Sequence, residues 1–349
     1  MTETTLRFER LGRIGRIVLD RPKALNALTL EQVHAMHPQL DLWAADPDVA
    51  LVVIEGAGER AFCAGGDIKR LHRAAAGGES DYLTAFYRDE YRFNRRIKTL
   101  PKPYVALLDG ITMGGGVGVS VHGRYRVATE RTLFAMPETG IGFYPDVGLS
   151  FVLSRLPGAI GRYLGMTGAR LGPADTLHVG IATHYVESGK IDSLRDALAG
   201  AEGDEDVAAI LARFASDPGP TALDGERALI DRCFAHDRLD DVLAALAAET
   251  DPFAAETLAV LRRHSPLLVA ITFEMIRRAA SMEFDECLRM EYRLSQVVAR
   301  APDFVEGVRA LLIDRDNSPV WNPATLAELT PAQVLAPFET VPAAGDLTF

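Results

Sequence analysis

The sequence predicts an α/β fold followed by a mainly helical C-terminal region. In the first half, short apolar runs alternate with amphipathic stretches; after about residue 146 the pattern is almost entirely helical. Continuous apolar runs are typical of strands buried on both faces of a parallel sheet. We therefore expect a mostly parallel sheet with helices packed outside it. The predicted division is a core at residues 1–187 and a helical region at residues 188–349.

The first elements alternate between strand and helix. Residues 14–20 form a predicted strand that ends at Arg21-Pro22. Thr29 is a good N-cap with Gln32 three residues later, so a helix should begin there and end near Asp46-Pro47. Further strands are predicted at residues 50–55, 104–108, 124–128 and 133–135, and further helices at residues 80–100 and within the glycine-rich segment 110–118.

The second half shows a 3.6-residue apolar period in several segments. Helices are predicted at residues 204–215, 222–234, 239–248, 252–264 and 284–300. Residues 188–250 are rich in alanine and in acidic residues. We interpret that region as an exposed helical insertion or a small helical subdomain.

Composition limits the class of protein. The chain has 349 residues, of which 48% are hydrophobic and 24% charged, which is ample for a large core. The net charge of −11, with no strong basic patch, argues against a nucleic-acid partner. No apolar run approaches the ~20 residues that cross a bilayer, so no membrane partner is expected. Residues 1–9 lack the pattern of a targeting leader, which predicts a cytoplasmic location.

Cysteine and histidine usage predicts neither a disulfide framework nor a metal site. The three cysteines, Cys63, Cys233 and Cys287, are sparse and contain no close pair. The eight histidines show no H-E-x-x-H spacing, and there is no C-x-x-C.

Two glycine-rich segments, residues 61–68 and 111–118, each follow a predicted strand and lead into a helix. Such turns expose backbone N–H groups, and one N–H from each could stabilise a single developing oxyanion. Neither segment contains a dinucleotide-binding G-x-G-x-x-G or a P-loop. The alternative is that they are close-packing turns between strand and helix.

A third segment, residues 136–148, places Glu138 and Asp146 among apolar residues, glycine and proline. A carboxyl group in such surroundings loses solvent, its pKa rises, and it becomes suited to acid–base or nucleophilic work. The alternatives are that Asp146 caps the next helix and that Glu138 pairs with an arginine.

Two other glutamates lie on apolar helical stripes. Glu90 shares its stripe with Phe86, Phe93 and Ile97, which indicates burial, either in a site or paired with an arginine of residues 88–96. Glu291 we interpret as a structural ion-pair partner.

A serine-hydrolase or cysteine-nucleophile interpretation is weaker. Ser120 fails the G-x-S-x-G pattern because position 122 is His, and it lies inside a predicted helix. Cys63 has no histidine placed to activate it, so we interpret it as a small packed residue.

The motifs occur in a characteristic order. The segments RPKALNAL, FCAGGDI, MGGGVG and MPETGIG, at residues 21–28, 62–68, 113–118 and 136–142, resemble the enoyl-CoA hydratase/isomerase (crotonase) superfamily. MEYRLSQ, EGVRA and SPVW, at residues 290–296, 306–310 and 318–321, are similar to its 3-hydroxyisobutyryl-CoA hydrolase branch. The resemblance covers nearly the whole chain and implies a crotonase-like ββα spiral with a C-terminal helical region.

The resemblance also implies roles for individual residues. It assigns the oxyanion hole to the N–H groups of Gly66 and Gly115, catalysis to Glu138 and Asp146, and substrate binding to Glu90. Hydratases of the superfamily carry two glutamates, and the first of them corresponds here to Gly118, which has no side chain. The hydrolase branch shares this departure.

The implied reaction is hydrolysis of a 3-hydroxyacyl-CoA, with 3-hydroxyisobutyryl-CoA of valine breakdown as the leading substrate. Coenzyme A is then part of the substrate, no separate cofactor is expected, and Arg21 and Lys23 are candidate contacts for its phosphates. The family implies a homo-oligomer, a trimer or a hexamer. Two alternatives stay open: an enoyl-CoA hydratase or isomerase using Glu138 or Asp146 alone, and a non-catalytic acyl-CoA-binding protein.

Overall fold

A computed structural model describes residues 5–349 of the chain. The segment 1–9, which lacks the pattern of a targeting leader, therefore lies partly outside the described residues. The strands are β1 (Leu6–Leu11), β2 (Ile14–Leu19), β3 (Leu51–Gly56), β4 (Ala61–Cys63), β5 (Tyr104–Leu108), β6 (Ile111–Met113), β7 (Tyr125–Ala128), β8 (Leu133–Ala135) and β9 (His184–Tyr185). The first eight α-helices are α1 (Leu30–Ala45), α2 (Ile68–Ala76), α3 (Ser80–Lys98), α4 (Gly115–Gly118), α5 (Leu149–Leu153), α6 (Ile160–Thr167), α7 (Pro173–His178) and α8 (Ile191–Leu198).

The later helices are α9 (Asp204–Phe214), α10 (Leu223–Phe234), α11 (Leu239–Ala248), α12 (Pro252–Arg263), α13 (Pro266–Ala279), α14 (Phe284–Val298), α15 (Pro302–Val308) and α16 (Pro331–Glu339). The α/β class is thereby confirmed, as is the Thr29–Gln32 capping box that starts α1.

The contacts between residues divide the chain into two compact units. One comprises the chain up to Gly66 with Arg92–Phe134 and Leu171–Ala222; the other comprises Asp67–Tyr91, Ala135–Arg170 and Leu223–Phe349. These limits do not coincide with the predicted boundary at residue 187.

The first unit contains a six-stranded sheet in the order β1-β2-β3-β5-β7-β9. Only the β1–β2 pair within it is antiparallel; the other neighbours run parallel. Every residue of β5 is buried, and so are the first five of β3, as expected of central strands covered on both faces. The mostly parallel sheet predicted from the apolar runs is confirmed.

A smaller sheet in the order β4-β6-β8 carries the glycine-rich turns. Strands β4 and β6 are parallel, with Ala61 opposite Ile111, so both turns leave from the same edge. Gly116, in α4, lies so close to β4 that a Cβ there would lie 2.1 Å from the Cys63 carbonyl oxygen. Glycine at this position is therefore a packing requirement.

The interpretation of residues 188–250 as an exposed insertion is wrong for α8 and α9. Leu194, Leu198, Val207 and Leu211 are fully buried and join the hydrophobic cluster that covers one face of the large sheet. The alanine and acidic residues lie on the opposite, solvent-facing sides of these helices, which is why the average composition suggested exposure.

The second unit is helical. Its helices α10, α11 and α12 pack in succession, and α6 contacts α10, α12 and α13. Helix α13 was not predicted, because eleven of its fourteen residues are buried and an apolar surface all round leaves no amphipathic period. Among residues 5–349, no helix combines the length and the apolarity needed to cross a bilayer.

Candidate active site

Glu138 and Asp146 flank a tightly held loop of the second unit. Glu138 begins a single turn of 3-10 helix, Glu138–Ile141, immediately after Pro137. The turn ends at Gly142, which has a φ of 74°, and a Cβ there would lie 2.1 Å from the Asp303 carbonyl oxygen. Because a side chain is excluded by both conformation and space, Gly142 fixes the direction in which the loop returns towards Asp146.

Asp146 is buried and accepts a hydrogen bond of 2.7 Å from the Tyr91 hydroxyl. It does not cap α5, whose N-cap is Gly148, so the capping alternative is wrong. Burial raises the pKa of Asp146 to about 7, while the Tyr91 hydroxyl and its own backbone hold it down. Asp146 is thus the carboxyl of this loop that has a donor to stabilise its negative charge.

Glu138 and Glu90 are buried without such a partner. Oε2 of Glu138 and Oε1 of Glu90 accept no hydrogen bond from residues 5–349, and neither residue forms an ion pair within that range. The arginine partners considered from the sequence are therefore wrong for both. Burial, and next the charge of Asp146, raises the pKa of each well above its usual range. Burial therefore disfavours the charged form of both glutamates.

The surroundings of these carboxyls are aromatic. Phe143 stacks on Tyr144, with ring centroids 4.5 Å apart, and on Tyr87 at 5.4 Å. Burial, and after it the charge of Asp146, raises the pKa of the hydroxyls of Tyr87, Tyr91 and Tyr144. The hydroxyls of all three tyrosines therefore remain protonated and able to donate hydrogen bonds.

Glu291 was wrongly interpreted as an ion-pair partner. Its side chain is fully buried and accepts hydrogen bonds from the backbone N–H groups of Gly148 (2.6 Å) and Ser150 (2.9 Å) and from the Ser150 hydroxyl. Its own carbonyl oxygen accepts from the Tyr144 hydroxyl at 2.6 Å. These hydrogen bonds hold the backbone in place before and after Asp146. Burial raises its pKa to about 8, while the bonds from Ser150 and Gly148 hold it down.

The two glycine turns of the first unit present unused donors. The N–H groups of Gly66 and Gly115 donate to no other group among residues 5–349. A Cβ placed on Gly65 would lie 3.7 Å from the Gly115 nitrogen, so the two turns are close neighbours. Gly65 and Gly114 have φ values of 114° and 50°, which direct the chain through the turns. The geometry suits a pair of donors for one oxygen.

Arg21 and Lys23 lie in the loop before α1. Arg21 is partly buried and donates to the Ala27 carbonyl oxygen at 2.6 Å, whereas Lys23 is exposed. Asn26 of the same motif donates from its buried amide to the Ala57 and Ala61 carbonyl oxygens at 3.0 and 2.8 Å. The motif is therefore partly structural, and phosphate contacts by Arg21 and Lys23 stay a prediction.

The other nucleophile candidates have structural roles. Ser120 lies in a turn after α4 ends at Gly118, and not inside a helix as predicted. Its buried hydroxyl donates to the Gly116 carbonyl oxygen at 2.8 Å, as serines near helix ends commonly do. Cys63 is fully buried in the core of the first unit. Within residues 5–349 there is no group of three or more His, Cys, Asp or Glu side chains that could hold a metal ion.

A mixed α/β fold that buries three carboxyls beside tyrosine hydroxyls is that of an enzyme using acid–base chemistry. Residues 14–338 match the enoyl-CoA hydratase/isomerase family, and the chain belongs to that family.

Similar proteins of known name and structure agree with this assignment. The chain is 47% identical over 328 residues to the mitochondrial 3-hydroxyisobutyryl-CoA hydrolase of Danio rerio, covering 92% of this chain and 85% of that protein. The human protein of the same name is 42% identical, covering 98% and 90%. The crystal structure of a carnitinyl-CoA dehydratase from Mycobacterium thermoresistibile matches with a TM-score of 0.93 at 42% identity, covering 99% of both chains. That of an enoyl-CoA hydratase from Rhodobacter sphaeroides matches with a TM-score of 0.92 at 41% identity, covering 99% and 100%.

These comparisons bear on two predictions. The crotonase-like α/β fold with a C-terminal helical region is confirmed, because the structural matches extend over almost the whole chain. The predicted cytoplasmic location is wrong by the same comparisons, since the similar hydrolases are named as mitochondrial. Neither composition nor residues 1–9 therefore predict the location of this protein.

Proposed function

We propose that this enzyme hydrolyses a 3-hydroxyacyl-CoA thioester, with 3-hydroxyisobutyryl-CoA as the leading substrate. The proposal rests on one observation. Glu138 and Asp146 are both buried, whereas position 118, where hydratases of the superfamily carry another glutamate, is a glycine without a side chain. The identity of 42–47% to proteins named 3-hydroxyisobutyryl-CoA hydrolase supports it. Valine degradation is the pathway that this substrate implies.

The charges suggest how the proton moves. The proposed cycle starts with Asp146 as the carboxylate, stabilised by the Tyr91 hydroxyl, and with Glu138 protonated. As substrate binds, Asp146 takes the proton of Glu138, whose carboxylate then attacks the thioester carbonyl carbon or removes a proton from an attacking water. The C–S bond breaks, and Asp146 returns its proton to the departing thiolate. With water as attacking group, the products are the free acid and coenzyme A, and both carboxyls recover their starting states. With the Glu138 carboxylate as attacking group, an anhydride forms instead. Water then cleaves the anhydride, Asp146 takes the proton of that water, the free acid leaves, and the proton returns to Glu138.

The remaining assignments complete the proposal. The N–H groups of Gly66 and Gly115 stabilise the negative oxygen that develops on the thioester, Glu90 contacts the acyl group, and Arg21 and Lys23 contact the phosphates of coenzyme A. Coenzyme A leaves as product, so no additional cofactor takes part. A homo-oligomer, trimer or hexamer, stays a prediction.

A pair of substrates tests the function. Incubation with 3-hydroxyisobutyryl-CoA is expected to release free thiol, measured with a thiol reagent, and incubation with crotonyl-CoA to leave the enoyl absorbance unchanged. The two structural matches named as a hydratase and a dehydratase make hydration the rival activity. Water addition to crotonyl-CoA without thiol release from the hydroxy ester would establish the rival. Absence of both reactions, with binding of both esters, would favour a non-catalytic acyl-CoA-binding protein.

The pH dependence should follow Asp146. The mechanism requires ionised Asp146, so the rate rises as pH increases through its pKa of about 7. Tyr91→Phe removes the donor that stabilises the carboxylate, so the pKa rises and the acidic limb of kcat/KM moves to higher pH. A hydrogen bond to a charged group contributes ~1.5–3 kcal/mol, which corresponds to a move of ~1 pH unit or more. Relative to the unmodified enzyme, the rate of Tyr91→Phe is therefore lowered by ~10-fold or more below pH 7, by progressively less as pH rises to the new pKa, and not at all well above it.

Tyr87→Phe is the matched control for this measurement. It removes another buried tyrosine hydroxyl, but one that makes no hydrogen bond to Asp146. Its acidic limb should coincide with that of the unmodified enzyme. Equal displacement of both limbs would show that Tyr91 acts through general packing and would contradict its role towards Asp146.

A further inference from the structure

A cavity of the first unit gathers positive charge at the edge of the large sheet where β5 and β7 begin. Its volume is about 370 Å³, which is within the range of small-ligand sites. Its charged lining comprises Lys98, Lys102, Arg124, Arg126 and Asp204, all of which belong to the first unit. The cations are spaced out along the chain, so the sequence shows no basic run there. The cavity is thus a local exception in a chain whose net charge is −11.

Arg126 is the cation of this cavity that the fold fixes most firmly. It is half-buried, and each nitrogen of its guanidinium donates to a backbone carbonyl oxygen: Ile181 (2.6 Å), Gly123 (2.9 Å) and Gly180 (3.0 Å). It forms no ion pair with any residue in the range 5–349. Burial lowers the pKa of Arg126 to about 10, so the group stays charged at neutral pH. A guanidinium has five N–H groups, so two of them remain to donate to a ligand.

The two lysines add to the positive charge of the cavity. Lys102 is half-buried and donates to the carbonyl oxygens of Trp43 and Asp46 at 2.6 and 2.5 Å. Within the described part of the chain it forms no ion pair either. Burial, and next the charge of Arg126, lowers the pKa of Lys98, so these two cations are close enough to repel each other. Such repulsion raises the free energy of the folded state, and a bound anion would lower it.

The single carboxylate of the lining does not balance these charges. Asp204 pairs with Arg124 at 3.0 Å and accepts a hydrogen bond of 3.0 Å from the Tyr125 hydroxyl. Four cations and one carboxylate leave the lining with an excess of three positive charges. A phosphate group carries ~1.5–2 negative charges at pH 7 and several acceptor oxygens, whereas a carboxylate carries one charge. We infer that this cavity binds the phosphate group of a small anion. None of these residues is assigned to the thioester, so the inference does not depend on the proposed function.

Calorimetry on the enzyme without substrate tests the inference. Inorganic phosphate is titrated at constant ionic strength, and acetate serves as the singly charged comparison. Phosphate is expected to bind saturably and ~10-fold or more tightly than acetate, because it accepts more charge-assisted hydrogen bonds. Arg126→Gln should weaken phosphate binding by ~10-fold or more, since it removes a charged donor. Absence of phosphate binding, or equally tight binding of acetate, overturns the inference.

Two further variants separate the cavity from general charge. Lys190→Gln removes one positive charge of the same unit, but Lys190 pairs with Glu187 at 3.1 Å and does not line the cavity. Its phosphate affinity should equal that of the unmodified enzyme. If Arg126→Gln does not fold, Lys98→Gln replaces it; Lys98 is exposed, so this variant should weaken phosphate binding and keep the thermal midpoint. Equal phosphate affinity in the cavity variant, the control and the unmodified enzyme refutes the inference.

Adenosine 3′,5′-bisphosphate distinguishes the two sources of a phosphate group. If it binds more tightly than inorganic phosphate and loses affinity in Arg126→Gln, the cavity takes the phosphate of a nucleotide. If only inorganic phosphate loses affinity in Arg126→Gln, the cavity takes the free anion. Both results support a phosphate site. If neither ligand responds to the substitution, both bind elsewhere and the inference is wrong.

Discussion

Glu138→Gln is expected to reduce thiol release from 3-hydroxyisobutyryl-CoA by ~10²–10⁴-fold, the range typical of a lost acid–base group. The amide can neither attack the carbonyl carbon nor accept a proton from water. Binding of the ester should persist, because glutamine keeps the size and the polarity of the side chain. Burial raises the pKa of Glu138, so the amide removes a costly ionisable group and the thermal midpoint should not fall. The measurements are steady-state thiol release, ester binding by calorimetry and a thermal melt.

Glu256→Gln is the control for the same chemical change at an exposed position on α12, and full activity is expected from it. A Glu138→Gln enzyme that binds the ester but releases no thiol would exclude a protein that only binds acyl-CoA. If Glu138→Gln and Asp146→Asn both kept the full rate, the site assignment would be wrong. A loss confined to KM would place Glu138 in substrate binding and outside the chemical step.

The parts of the fold that the sequence predicts are those with a periodic or continuous pattern. The central strands show unbroken apolar runs, and α10, α11 and α12 show a clear 3.6-residue period, so each was placed within one or two residues. Helix α13 was not predicted because burial on nearly all sides removes the amphipathic pattern. Strand β1 was not predicted for the opposite reason: it lies at the edge of the sheet, and its exposed polar residues interrupt the apolar pattern.

The site divides in the same way. Glu138 and Asp146 could be found because apolar residues, glycine and proline surround them in the sequence itself. The interaction that defines Asp146, a hydrogen bond from Tyr91, joins residues 55 positions apart and leaves no local signal. Glu291 was found as an odd charge on an apolar stripe, but its partners were inferred to be cations when they are N–H and O–H donors.

Glu291→Ala is expected to give the largest loss of stability. The carboxylate accepts three hydrogen bonds, from Gly148 and twice from Ser150, and alanine leaves all three donors buried without a partner. Each orphaned donor costs ~1–3 kcal/mol, and the cavity adds to that cost. With ~2–4 °C lost per kcal/mol in a unit of this size, the thermal midpoint should fall by ~10 °C or more. Activity should fall as well, since the bonds hold the backbone on both sides of Asp146.

Two comparisons make this prediction specific. Glu79→Ala removes a carboxylate that is paired with Arg70 at 49% side-chain exposure, and an exposed ion pair of this kind contributes only ~0–1 kcal/mol. Its thermal midpoint should stay within a few degrees of the unmodified enzyme. Glutamine at position 291 keeps one oxygen that can accept from Ser150, but its amide nitrogen faces a backbone N–H and cannot accept from it. The thermal midpoint of Glu291→Gln should therefore lie between those of the alanine variant and the unmodified enzyme. Equal losses at positions 79 and 291 would mean that charge alone matters, and the anchoring of the Asp146 loop by backbone donors would then be refuted.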